Sequence, residues 1–274
     1  MNGTRSYQTE IIFNGPTFQS NITGVAQVDE NGFSLMHGDI QWMYTNLNTN
    51  QTKTCEVPFF AERSGNSMTL YGMRNGSWQR ESMLGSLTWL LDMMAEDNRE
   101  LRAQYAAAVT SVKTKDEGRN RLSMQIRFNG KALSETKDRA VRESIASLPE
   151  EEQGPALAAV RYFNAALAEN TPELTWTIDR TTGETVTVAA DLTDIMRSYA
   201  KAVLEDSYQG RISLTPEETE LLASFGYYYH LQLYLTRNDK NAGRLAIPAD
   251  VRSSARESAF LHDMEMDVVS VVKK

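Results

Sequence analysis

Aromatic and basic side chains alternate from Phe59 to Arg80, in the run FFAERSGNSMTLYGMRNGSWQR. Tyr71 and Trp78 stand there among Arg63, Arg74 and Arg80, and Trp42 and Tyr44 come shortly before. Rings mounted on a sheet can stack unpaired bases, because every base has a π face, while guanidinium groups follow the phosphates. The same rings also fill small β cores, since aromatic residues favour strands and bury a large area. The two readings make opposite demands: a stacking ring must lie open and a core ring closed.

A second candidate lies downstream. Between Lys113 and Arg142 nine cations face four acids, and Lys113, Lys115, Arg119, Arg121 and Arg127 open the tract. Phosphate contacts made by such side chains release counterions and weaken as salt rises.

Acid–base chemistry has little to work with. The three histidines are His37, His230 and His262. His37 precedes Asp39 across a glycine, a spacing that does not fix an imidazole–carboxylate pair. His262 opens HDMEMD, whose Asp263, Glu265 and Asp267 do not share one face with it on a helix, so a solvated acidic end competes with a metal site. Cys55, the single cysteine, reads as an inert thiol on a strand. Neither a phosphate-cradling glycine loop nor a nucleophile elbow is present. The leading expectation is a non-enzymatic protein with no catalytic residue, no metal and no cofactor, and the weaker alternative is an enzyme of unknown class built around His37 or His262.

Charge is uneven along the chain. The net is −8 overall; residues 1–86 carry −2, residues 87–145 carry +2 and residues 146–274 carry −8. A local positive segment beside an acidic half suits two partner classes. One is single-stranded nucleic acid, which makes the chain a binding or replication-accessory protein. The other is a protein partner, which makes it an acidic inhibitor or assembly subunit that binds no nucleic acid. Tyr227, Tyr228 and Tyr229 suit the second, because tyrosine is enriched at interfaces. No apolar run is long enough to cross a bilayer and the opening MNGTRSYQTEIIFNG has no apolar signal segment, so the expectation is a cytoplasmic protein without membrane contact.

The elements that must position these residues follow from periodicity. Alternating runs over Ile11 to Phe13, Ile22 to Val28, Phe33 to Leu47, Thr52 to Phe60 and Ser67 to Met73 predict strands. Asn31-Gly32 and Asn75-Gly76 predict hairpin turns, because type I′ turns need positive φ at both central residues. From Met83 to Val112, Leu87, Leu90, Met94, Leu101, Tyr105, Ala108 and Val112 recur at helical spacing and predict one long helix. A short strand over 123–128 and a hairpin over 174–189 interrupt further predicted helices, at Pro155 to Glu169, at Leu192 to Asp206 and after Thr215 with Leu222, Phe225, Tyr229 and Leu233 on its apolar face. The last helix is predicted from Val251 to about Met264.

The expected class is therefore α+β. An antiparallel β-rich N-terminal part, a small barrel or sheet over 1–82, precedes a mainly helical C-terminal part over 83–274, either separate or sharing one core.

Overall fold

The structure is a computed structural model that describes residues 4–15, 18–29, 31–46, 49–64, 67–84, 99–135, 145–146, 150–216, 218–219, 222–223, 226, 229–238 and 245–260. The chain divides into two compact units: residues 1–102 with 235–274, and residues 103–234.

Unit 1 is built on an antiparallel meander of β1 (Arg5–Asn14), β2 (Phe18–Asp29), β3 (Gly32–Asn46), β4 (Gln51–Ser64), β5 (Ser67–Arg74) and β6 (Ser77–Leu84). Each strand pairs with the next in sequence. Between β5 and β6 the turn residues Asn75 and Gly76 have φ of 52° and 73°, as a two-residue hairpin of this hand requires. Period two then sorts the side chains. Tyr7, Ala26, Met36, Ala61 and Leu70 are successive cross-strand partners on one face, and all are buried.

The opposite face is covered at one end. Leu35 and Tyr71 are buried there with Ile247 and Val251, and Phe60 and Trp78 pack at the margin. Val251 comes from a short helix, α4 (Ala249–Ser254), after which β12 (Arg256–Glu257) pairs parallel with β6.

Unit 2 holds β7 (Val109–Gly118), β8 (Arg121–Phe128), β9 (Glu173–Asp179) and β10 (Thr185–Asp191), joined by antiparallel pairing. In strand order β11 (His230–Arg237) follows β10, and β7 ends the sheet. Its helices include α2 (Glu150–Glu169) and α3 (Thr193–Tyr208), with α1 (Arg99–Ala106) across the division between units. Ile126, Leu174 and Ala190 form a buried cross-strand row, and Met124, Trp176 and Val188 form the row beside it. The α2–α3 contact carries a polar knot: the Tyr162 hydroxyl donates to Asp206 Oδ2 at 2.6 Å while its ring meets Tyr199 edge-on. Bonding to Tyr162, then to Arg211, holds the Asp206 carboxyl below its ordinary range despite partial burial.

This architecture corrects the expected class. Among the described residues the C-terminal part is not mainly helical: six of the twelve strands follow residue 108, so sheet dominates. The long helix expected over 83–112 has helical residues at Arg99–Ala106, but Val109 and Val112 already belong to β7. The helical face expected to run through Tyr229 and Leu233 gives way to β11, where Leu233 and Leu235 are buried at a spacing of two. HLQLYLTR also alternates apolar and polar residues, so the segment satisfies strand period as well as the spacing of four. The helix expected from Val251 to about Met264 stops at Ser254 and gives way to β12, and residues beyond 260 lie outside the described residues.

Local side-chain chemistry fixes two further features. The Thr215 N–H donates to Glu218 Oε2 at 2.7 Å and the Glu218 N–H to Thr215 Oγ1 at 3.2 Å, a complete capping box. The hairpin at Thr182-Gly183 is present, with Gly183 at φ 73° and Asp179 Oδ1 accepting from the Thr181 and Thr182 N–H groups. Among the described residues, no helix is long and apolar enough to cross a membrane.

Candidate interaction surface

The candidate residues fall into two sets, one in each unit. In unit 1 two of the four candidate rings, Trp42 and Tyr71, are closed. Trp42 on β3 is buried and meets Phe18 edge-on at 5.6 Å. Tyr71 is 6% exposed, and its hydroxyl donates to Glu62 Oε1 at 2.7 Å. Burial, then the bond to Glu62, raises the Tyr71 phenol above its ordinary range. Trp78 is half-buried against Phe60, with ring centroids 5.6 Å apart. Tyr44, Arg63 and Arg74 are half-buried on β3, β4 and β5. Arg80 is committed to Glu257, 2.7 Å from its Nε, and Arg252 binds the second oxygen of Glu62. These cations therefore fasten the 245–258 segment to the sheet, and the rings beneath them are its floor.

His37 stacks on Phe60 at 6.3 Å, half-buried, and Asp39 is exposed two residues further along β3. Cys55 is half-buried on β4, opposite Trp42. His262 and its acidic neighbours, like Tyr227 and Tyr228, lie outside the described residues, while Tyr229 is buried. No cluster of His, Cys, Asp and Glu fit to hold a metal ion occurs among the described residues.

The cations of unit 2 have a different setting. Lys113 and Lys115 on β7 stand opposite Gln125 and Ser123 of β8, so Lys113, Lys115, Arg121 and Arg127 occupy one face of the hairpin. The turn that joins the strands is Arg119-Asn120, both residues in left-handed backbone with φ of 47° and 65°. On the side toward β9 the charge is already answered: Arg127 Nε lies 2.7 Å from Glu173 Oε2, and Arg121 is the cross-strand partner of Asp179. The Arg127 bond, reinforced by Gln125, holds Glu173 below the ordinary carboxylate range, with Lys113 adding at longer range. Backbone N–H groups of Thr182 and Thr181 do the same for Asp179.

The outer strand differs. From Val112 to Gly118 every residue of β7 is exposed, and Val112 is one of the few large apolar side chains left open, at 49%. Lys115 meets Glu117 at 3.0 Å, both partners solvated, and such exposed pairs contribute little. Among the described residues β7 pairs with β8 alone, so the backbone groups along its other side have no strand partner. Residue types in the sequence located the cations of this hairpin; only strand order reveals the edge.

No protein-family model matches the chain, and no curated protein does either. Among solved structures it is similar to the crystal structure of LprF from Mycobacterium bovis, at 10% identity and a TM-score of 0.39, over 90% of this chain and 89% of that one. A likeness of that size assigns neither fold nor activity.

Proposed function

We propose that this chain is a non-enzymatic protein-binding factor that takes an extended segment of its partner along β7. The observation that carries this reading is a ten-residue strand, exposed from Val112 onward, at the end of a sheet, with one side of its backbone unpaired among the described residues. Such an edge accepts a further strand through main-chain hydrogen bonds, and its side chains choose which strand. Native proteins blunt edges that must stay free, often with lysine, and Lys113 and Lys115 serve that end as well. The two roles agree: lysines that repel a second basic edge still admit a partner of complementary charge.

Amide hydrogen exchange tests the reading. When a partner strand binds, N–H groups of Val109–Gly118 that face away from β8 should gain protection while those of β9 and β10 stay unchanged. Protection that appears elsewhere and spares β7 would remove it.

A second reading, single-stranded nucleic acid, is favoured by one observation: Lys113, Lys115, Arg121 and Arg127 share a face. Two of the rings it would use, Trp42 and Tyr71, are core, and stacking needs a free π face. Its test is oligonucleotide binding at low salt by the intact chain and by a variant with Arg119, Arg121 and Arg127 changed to glutamine. Each lost phosphate contact should reduce the salt slope by about 0.7.

A further inference from the structure

The two faces of β7 specify the strand that would pair with it. On one face Lys113 and Lys115 stand two residues apart, and on the other Val112 stands between Thr110 and Thr114. The neighbouring row is already neutralised: Arg127 is held by Glu173, and Arg121 faces Asp179. Positive charge open to a newcomer therefore lies at the edge itself, in two lysines whose ordered ion-pair partner is the solvated Glu117 beside Lys115. A strand added outside β7 would place alternate side chains against Lys113 and Lys115, with Glu117 beyond them toward the turn, and the others against Val112 between Thr110 and Thr114, with Asp116 beyond.

Cross-strand pairs of opposite charge stabilise such a ladder and like charges oppose it. Cross-strand apolar contacts add to this on the other face, where Val112 already neighbours Ile126. We infer that the occupant of this edge is an extended polypeptide in which acidic residues alternate with apolar β-branched ones, the acids facing Lys113 and Lys115 and the apolar residues facing Val112. The inference rests on the strand-addition reading above and adds the partner's chemistry to it.

The test uses the full chain and three capped ten-residue peptides, alternating Glu with Val, Gln with Val and Lys with Val, followed by fluorescence anisotropy. The Glu peptide should bind best and the Lys peptide worst. Changing Lys113→Glu and Lys115→Glu together should weaken the Glu peptide by about tenfold and strengthen the Lys peptide, because two cross-strand pairs pass from attraction to repulsion. Both lysines are exposed, so the fold should persist, and an unchanged melting curve verifies that. The milder pair Lys113→Gln with Lys115→Gln should fall between the two.

Equal binding of all three peptides would overturn the acidic specificity and leave strand addition standing. Binding by none of them would overturn both. Displacement of the Glu peptide by a single-stranded oligonucleotide at low salt would overturn the inference in favour of a polyanion.

Discussion

Gly72 and Phe260 meet so closely that a Cβ on Gly72 would lie 1.9 Å from the ring's Cζ. Phe260 has no exposed surface, so its ring is seated on bare backbone of β5, and the absence of a side chain at residue 72 creates the seat.

Gly72→Ala should therefore destabilise the chain by about 1–3 kcal/mol through overpacking. Phe260→Ala should cost about 3–5 kcal/mol. The double variant should cost clearly less than the sum, because the clash disappears with the ring. Denaturant unfolding of all four proteins measures this, and strict additivity would show that the two residues do not share one site.

Tyr71→Phe removes the donor to Glu62 and should cost about 1 kcal/mol in thermal or denaturant unfolding. It should also change the alkaline limb. A phenol raised in the folded state contributes stability that is present below its unfolded value near 10 and lost as pH climbs through the folded value. Wild type should lose stability more steeply than the variant above that pH, and parallel curves would exclude the coupling.

Acid should act on the Arg127–Glu173 pair with the opposite sign. Glu173 is lowered in the folded state, so its contribution is complete above the ordinary glutamate range and is lost as pH falls through the folded value. Arg127→Gln should bring the titration of Glu173, followed by carboxyl NMR, back toward that ordinary range. An unmoved titration would mean that Gln125 alone suffices.

Leu235→Ala should cost about 2–5 kcal/mol, because the side chain is fully buried in β11, whereas Tyr234→Ala beside it should change stability little. That contrast between adjacent positions belongs to a strand, and comparable losses at both would contradict it.

Residues 230–237 also show where local reading of the sequence stops. The N-terminal meander is legible because Asn75-Gly76 and strict alternation act within a few residues. Leu222, Phe225, Tyr229 and Leu233 satisfy helical spacing, while Leu231, Leu233 and Leu235 satisfy strand spacing, and nothing within the segment decides between them. The decision is tertiary: Leu231 N–H donates to Thr193 Oγ1 at 3.0 Å and Leu192 N–H to the Leu231 carbonyl. Likewise, Val109 and Val112 fit the helical series that precedes them, and pairing with Phe128 and Ile126 moves them to a strand.

The candidate site was legible as residue types but not as exposure. Tyr71 and Lys113 both stand on alternating strands. Tyr71 lies under α4, brought there by a segment some 180 residues later, while Lys113 lies on an uncovered edge. Arg256–Glu257 gives no strand signal of its own, since two residues acquire that state only by joining Gln79 and Arg80.

That last pairing has a consequence for biosynthesis. Unit 1 is interrupted by unit 2, so β6 leaves the ribosome some 170 residues before the strand that borders it, and Phe260 is later still. A chain made in order thus carries an unfinished first module through the whole synthesis of the second, with the β6 edge and the Gly72 seat open to chaperones or to another nascent chain until the closing segment emerges.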